Sequence, residues 1–175
     1  MQYQDCTSPA QPADEPRAGA AADARRLADA NINPATGLAT DYLNHFNEAI
    51  MLLEMLSSCP DCLADFLTWR PVSYRQHFSA SRFAGRELAI AAYDAANPDV
   101  RERLDTLAGA MNGVLEATRA ALASGMPEGA AGDVAGCAAA LLRSLAARTG
   151  AVINGNADAT PAGAPQAVID GLMQA

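Results

Sequence analysis

The sequence predicts an all-α protein: an antiparallel helical bundle of four to five helices, with a flexible N-terminal tail and a loosely ordered C-terminal segment. Three observations lead there. Apolar residues recur at three- and four-residue steps along several long segments, proline and capping residues punctuate them, and no stretch alternates as a half-buried strand does. At 175 residues the chain has room for one hydrophobic core, but not for two ordinary domains and a linker.

Residues 1–34 are rich in Ala, Pro, Asp and Gln and poor in large apolar side chains. Such a segment cannot offset the entropy of ordering, so a flexible tail is expected, with a transient helix over Ala18–Ala30. Asn33-Pro34 sets an extended entry, and Thr40 or Asp41 suits the N-cap of the first bundle helix. That helix carries Leu43, Phe46, Ile50 and Leu53 on one face. Its second half is apolar nearly all round, including Met51 and Met55, as expected for a central helix or an interface.

Ser57-Ser58-Cys59-Pro60 ends this helix, and Pro60 opens a second one through Trp69 with Leu63, Phe66 and Leu67 buried. Arg70-Pro71 breaks the pattern, a short turn from Ser73 to Phe78 follows, and Ser81 is the expected cap of the next helix. Asn97-Pro98-Asp99 is the clearest start signal in the chain. It combines a capping side chain, proline at the first helical position and an acid at the positive end of the dipole. The long helix it opens carries Gly109 and Gly113, expected to form a groove for a neighbouring helix. Gly125–Gly129 reads as a linker, and Asp133 to about Ala151 as an Ala-rich helix with a buried stripe of Val134, Cys137, Leu141, Leu145 and Arg148. The bundle domain is thus placed at 35–151, and 152–175 is a linker with a terminal amphipathic helix.

Composition then limits the chemistry. The chain has no lysine, which removes Schiff-base catalysis and the Walker phosphate loop. A net charge of -8 disfavours nucleic acid, and Arg70, Arg75, Arg82 and Arg86 form only a diluted basic patch. Neither a signal peptide nor a run of about 18 apolar residues is evident, so a cytoplasmic protein that does not engage a membrane is expected. Cys6, Cys59, Cys62 and Cys137 are then expected as reduced thiols.

No complete catalytic set emerges, and no cofactor is expected. Cys59-Pro60-Asp61-Cys62 has redox spacing at a helix start but lacks the βαβ frame of thioredoxins. A four-ligand zinc site with His45 and His77 is opposed by distance, since fourteen helical residues from His45 to Cys59 span about 21 Å. The second helix should nonetheless return the chain toward the start of the first. That brings Asp41, His45, Glu48, Arg70, Tyr74 and His77 to one end of the bundle, where they form either a paired polar corner or a site for a small ligand or metal ion.

Gln166-Ala167-Val168-Ile169-Asp170-Gly171-Leu172-Met173 resembles the short peptides through which flagellar switch proteins and chemotaxis phosphatases bind response regulators. The resemblance spans eight residues, and it departs at Gly171 and Met173. It implies a response regulator as partner, bound by a tethered helix through Val168, Ile169 and Leu172; the other reading is a terminal helix folded back over the core. Together these features lead to an expectation of a non-enzymatic helical adaptor or regulator. It would act through protein contacts at Met51, Met55 and the terminal helix, with a homodimer as one form those contacts can take.

Overall fold

The computed structural model describes residues 15–156, and among them it is entirely helical apart from loops. Seven helices occur in that span, where the periodicity predicts four to five: α1 Glu15–Asp29, α2 Tyr42–Met55, α3 Cys62–Thr68, α4 Tyr74–Ala80, α5 Arg86–Ala95, α6 Pro98–Ala123 and α7 Glu128–Ile153. The two beyond that expectation are α1, which lies in the segment read as a tail, and α4, read as a short turn and here seven residues long between Pro71 and Ser81. The single bridge between Ile32 and Ala39 closes a loop and does not propagate.

The expected N-terminal tail contains α1, and Ile32 beyond it lies fully in the core with Leu38 and Ala39. With Thr36, whose hydroxyl donates to the Ile153 carbonyl at 2.6 Å, four buried side chains in a short loop anchor this entry segment through contacts distant in sequence. Gly37 takes φ 72 there, and a Cβ would come within 2.8 Å of the Ala92 carbonyl oxygen, so the loop closes against α5 only with glycine.

Capping explains the clearer boundaries. Asn97 Oδ1 accepts from Asp99 N at 2.8 Å to start α6, and Ser73 with Gln76 forms a reciprocal capping box on α4. Ser81 does not cap α5. It ends α4, where its hydroxyl donates to the Phe78 carbonyl and accepts from Phe83 N, while Gly85 precedes α5.

Helices α2, α6 and α7 supply most of the core. On α2 the buried face is Tyr42, Phe46, Ala49, Ile50 and Leu53, and on α6 it is Leu104, Ala108, Met111, Leu115, Thr118 and Leu122. On α7 the expected stripe is not the buried one. Ala135, Ala138, Ala139, Leu142, Thr149, Val152 and Ile153 face the core, whereas Cys137, Leu141 and Arg148 are exposed and Val134 and Leu145 half-buried. The helix is apolar on more than one side, so its small alanines can turn inward for close approach and its leucines remain at the edge. By length and composition Gly129–Ile153 is also apolar enough to cross a membrane, with only 22% of its apolar window buried.

Gly109 and Gly113 are likewise exposed, and a Cβ at either would meet nothing within 4 Å, so no helix among the described residues occupies the expected groove. Replacing each with alanine is expected to stabilise the protein by about 0.5–1 kcal/mol, because helix-interior glycine loses more backbone entropy on folding. A higher urea midpoint for Gly109→Ala and Gly113→Ala checks this; a lower one would reveal a close neighbour on that face.

Candidate functional site

The predicted corner assembles where α2 begins, α3 ends and α4 packs against α2. Pro60 turns the chain back after α2, α3 runs to Trp69, and Arg70-Pro71 keeps the backbone extended until Ser73 starts α4. His45 on α2 stacks on Trp69, ring centres 4.5 Å apart and planes 22° apart, and Trp69 Nε1 donates to the His45 carbonyl at 3.3 Å. His77 on α4 stands edge-on to Tyr42 at 5.7 Å and 6.3 Å from the His45 ring.

Tyr74 is buried behind them. Its hydroxyl oxygen accepts from Ala39 N at 2.8 Å, and its ring stacks on Tyr93 at 4.7 Å. Tyr42 donates to the Val72 carbonyl at 3.0 Å. Burial pushes the Tyr42 phenol up to about 12 and raises Tyr74 further, so both remain protonated and act as fixed polar anchors.

The two histidines are held neutral. Burial, with a smaller repulsion from His77, pushes His45 down to about 4, and its Nε2 is buried without a hydrogen-bond partner among the described residues. Burial also lowers His77, against the opposing Asp41 charge and a hydrogen bond to the Asp41 backbone. Of the six residues expected here, Asp41, His45, Tyr74 and His77 come together. Glu48 is exposed on α2, and Arg70 folds back to donate to the Leu67 and Trp69 carbonyls, each at 2.7 Å. The Trp69 carbonyl also accepts from Arg119 at 3.2 Å, which ties α3 to α6. Tyr42 is the member that sequence reasoning missed. Its signal was the 42, 46, 49, 50, 53 spacing, one residue ahead of the stripe that starts at Leu43.

Two other places hold chemistry-bearing groups. Cys62 is buried at the start of α3, and its thiol is raised, first by a hydrogen bond with Cys59, then by burial and nearby carboxylates, so Cys62 is poorly suited to thiolate attack. Between α5 and α6 a shallow cleft of about 480 Å³ is lined by Tyr93, Pro98, Arg101, Glu102, Asp105 and Thr106. Tyr93 donates to both Asp105 oxygens, at 3.0 and 2.8 Å, under an Arg101 guanidinium 5.9 Å from its ring centre. Burial and that bond push Tyr93 up to about 12, which makes it a donor and removes it as a base.

Comparison with family models, curated proteins and solved structures finds no match to this chain. Among the described residues no three His, Cys, Asp or Glu side chains converge to hold a metal ion.

The partner-binding residues expected on α2 are placed at the surface: Met51 is 51% exposed and Met55 41%. They lie one turn apart, near the bidentate pair in which Arg143 of α7 donates to Glu54 at 2.5 and 2.7 Å. Val168, Ile169 and Leu172 lie outside the described residues.

Proposed function

We propose that this protein is a non-enzymatic helical adaptor or regulator, built as an antiparallel bundle and acting through protein contacts on the open face of α2. The observation that carries this reading is the exposure of Met51 and Met55 on a helix whose other face is fully packed. Two large flexible thioethers one turn apart suit the apolar stripe of a partner helix, and such side chains adapt to the surface they meet. Exposed Glu48 beside them favours a partner with a basic flank. A homodimer through the same face is the second form of this reading.

Sedimentation equilibrium and partner capture, each comparing wild type with Met51→Glu/Met55→Glu, test the proposal. A specific complex, with itself or with another protein, should weaken by about tenfold or more, since two apolar anchors carry much of a small interface. Complexes that all survive the double substitution would remove α2 from the function.

One observation favours a second reading, in which the Asp41, His45, Tyr74, His77 corner binds a small ligand or metal ion: the unpartnered Nε2 of His45 beside a second imidazole. Trp69 is the single tryptophan of the chain and stacks on His45, so it reports on that corner directly. Zinc titration should change its fluorescence saturably, and the change should be lost in His77→Gln; a flat titration sets the metal form of this reading aside.

A further inference from the structure

We propose that the outer edge of the apolar row on α7 is the docking surface for the chain's own residues 166–173. The stripe consists of Val134, Cys137, Leu141 and Leu145, spaced three and four residues apart, and Leu141 is 50% exposed. Cys137 and Leu141 are exposed at its centre, and Val134 and Leu145, half-buried against the core, flank them, so a short apolar strip at the bundle edge is left for a cover.

The geometry of the chain at Asn156 supplies the occupant. Gly155, at φ 76, donates to the Val152 carbonyl and Asn156 donates to the Ala151 carbonyl, a paired bond pattern that ends α7 and turns the backbone off its axis. Residues 157–165 follow, nine positions that can span about 30 Å when extended. From Ile153 back to Leu141 the helix measures only about 18 Å. Residues 166–173 therefore reach the stripe with slack.

Their chemistry fits as well. Val168, Ile169 and Leu172 match the three- and four-residue spacing of the stripe. Asp170, the one carboxylate in this segment, complements Arg148, which is exposed at the near end of the stripe with no ion-pair partner among the described residues. A net charge of -8 disfavours an anionic membrane, and a segment already attached arrives at a higher effective concentration than a second copy.

Cys137, an exposed thiol within the stripe, is the reporter. In the full-length chain its alkylation rate, resolved by peptide mass spectrometry, is compared between wild type and Val168→Asp/Ile169→Asp/Leu172→Asp. Cys137 should react slowly in wild type and about tenfold or more faster in the triple variant, the ratio for losing a contact of about 1.4 kcal/mol. Cys59 and Cys62 should keep their rates and the circular dichroism its helical form. Equal rates overturn the proposal. So does protection of Cys137 that fades on dilution, which assigns the stripe to a second copy, or protection that appears only with phosphatidylglycerol vesicles, which assigns it to a membrane. Unchanged protection in Met51→Glu/Met55→Glu keeps this contact separate from the α2 reading.

Discussion

Replacing Tyr74 with alanine is expected to cost about 3–5 kcal/mol, as for other large aromatics removed from a packed core. The ring is 2% exposed and touches Tyr42, Phe78 and Tyr93, with centres 4.7 to 5.2 Å apart, so little nearby can collapse into the space. The hydroxyl matters separately. It is the hydrogen-bond acceptor for Ala39 N, and Tyr74→Phe leaves that buried donor unpaired at a cost of about 1–3 kcal/mol. Urea unfolding of both variants measures the two parts. A Tyr74→Phe variant as stable as wild type would mean that Ala39 N finds another partner, and that the entry loop does not depend on this bond.

Acidification is expected to destabilise the fold through His45. The unfolded ring takes up its proton near pH 6.5, whereas the folded ring does so only near 4. Between those values the unfolded chain binds more protons, so stability falls as pH drops from about 6.5 through about 4 and is level with respect to this group above that window. The full shift corresponds to about 3 kcal/mol, and partial access of the ring to water reduces this to about 1–2 kcal/mol. His77, also lowered by burial, acts in the same direction. Glu54, held down by Arg143, loses its own stabilisation at the acid end, so the comparison must be made between variants. His45→Phe keeps an aromatic ring on Trp69 and removes the titration. Its loss of stability between about pH 7.5 and about pH 4.5 should be smaller than that of wild type by about 1–2 kcal/mol. An identical loss in both proteins would show that His45 does not carry the effect.

The elements that sequence alone revealed are those with local chemistry. Asn97-Pro98-Asp99 starts α6 because capping, proline and dipole act within one turn, and Ser73 starts α4 for the same reason. The meeting of His45 with Trp69 and His77 was also legible, since Pro60 can only end one helix and open another, and a short link sends α3 back along α2. The Tyr93–Asp105 pair carried no signal. Its partners belong to different helices twelve residues apart, and neither sits in a motif.

The α7 stripe shows where periodicity runs out. Val134, Cys137, Leu141 and Leu145 form a valid helical row, and Ala135, Ala138, Leu142 and Thr149 form another nearby. On such a helix, hydrophobic spacing identifies the secondary structure without identifying the inward face. Packing against α2 and α6 selects the alanine row, because small side chains let the backbones approach while larger ones fit at the margin. The short turn expected at Ser73–Phe78 is a helix for a related reason: α4 owes its persistence to Tyr74 and Phe78 in the core more than to its own length.

By itself, then, the sequence determined that this chain is all-α, where its capped helices begin and which catalytic chemistries a lysine-free chain lacks. Those properties depend on neighbours within a few residues, or on composition alone. Only the tertiary structure decided which row of α7 faces the core, that Glu48 is exposed and Arg70 folds back on the end of α3, and that burial lowers the basicity of His45, whose Nε2 has no hydrogen-bond partner among the described residues. The α7 row and the burial of His45 depend on groups distant along the chain, which only packing brings within reach.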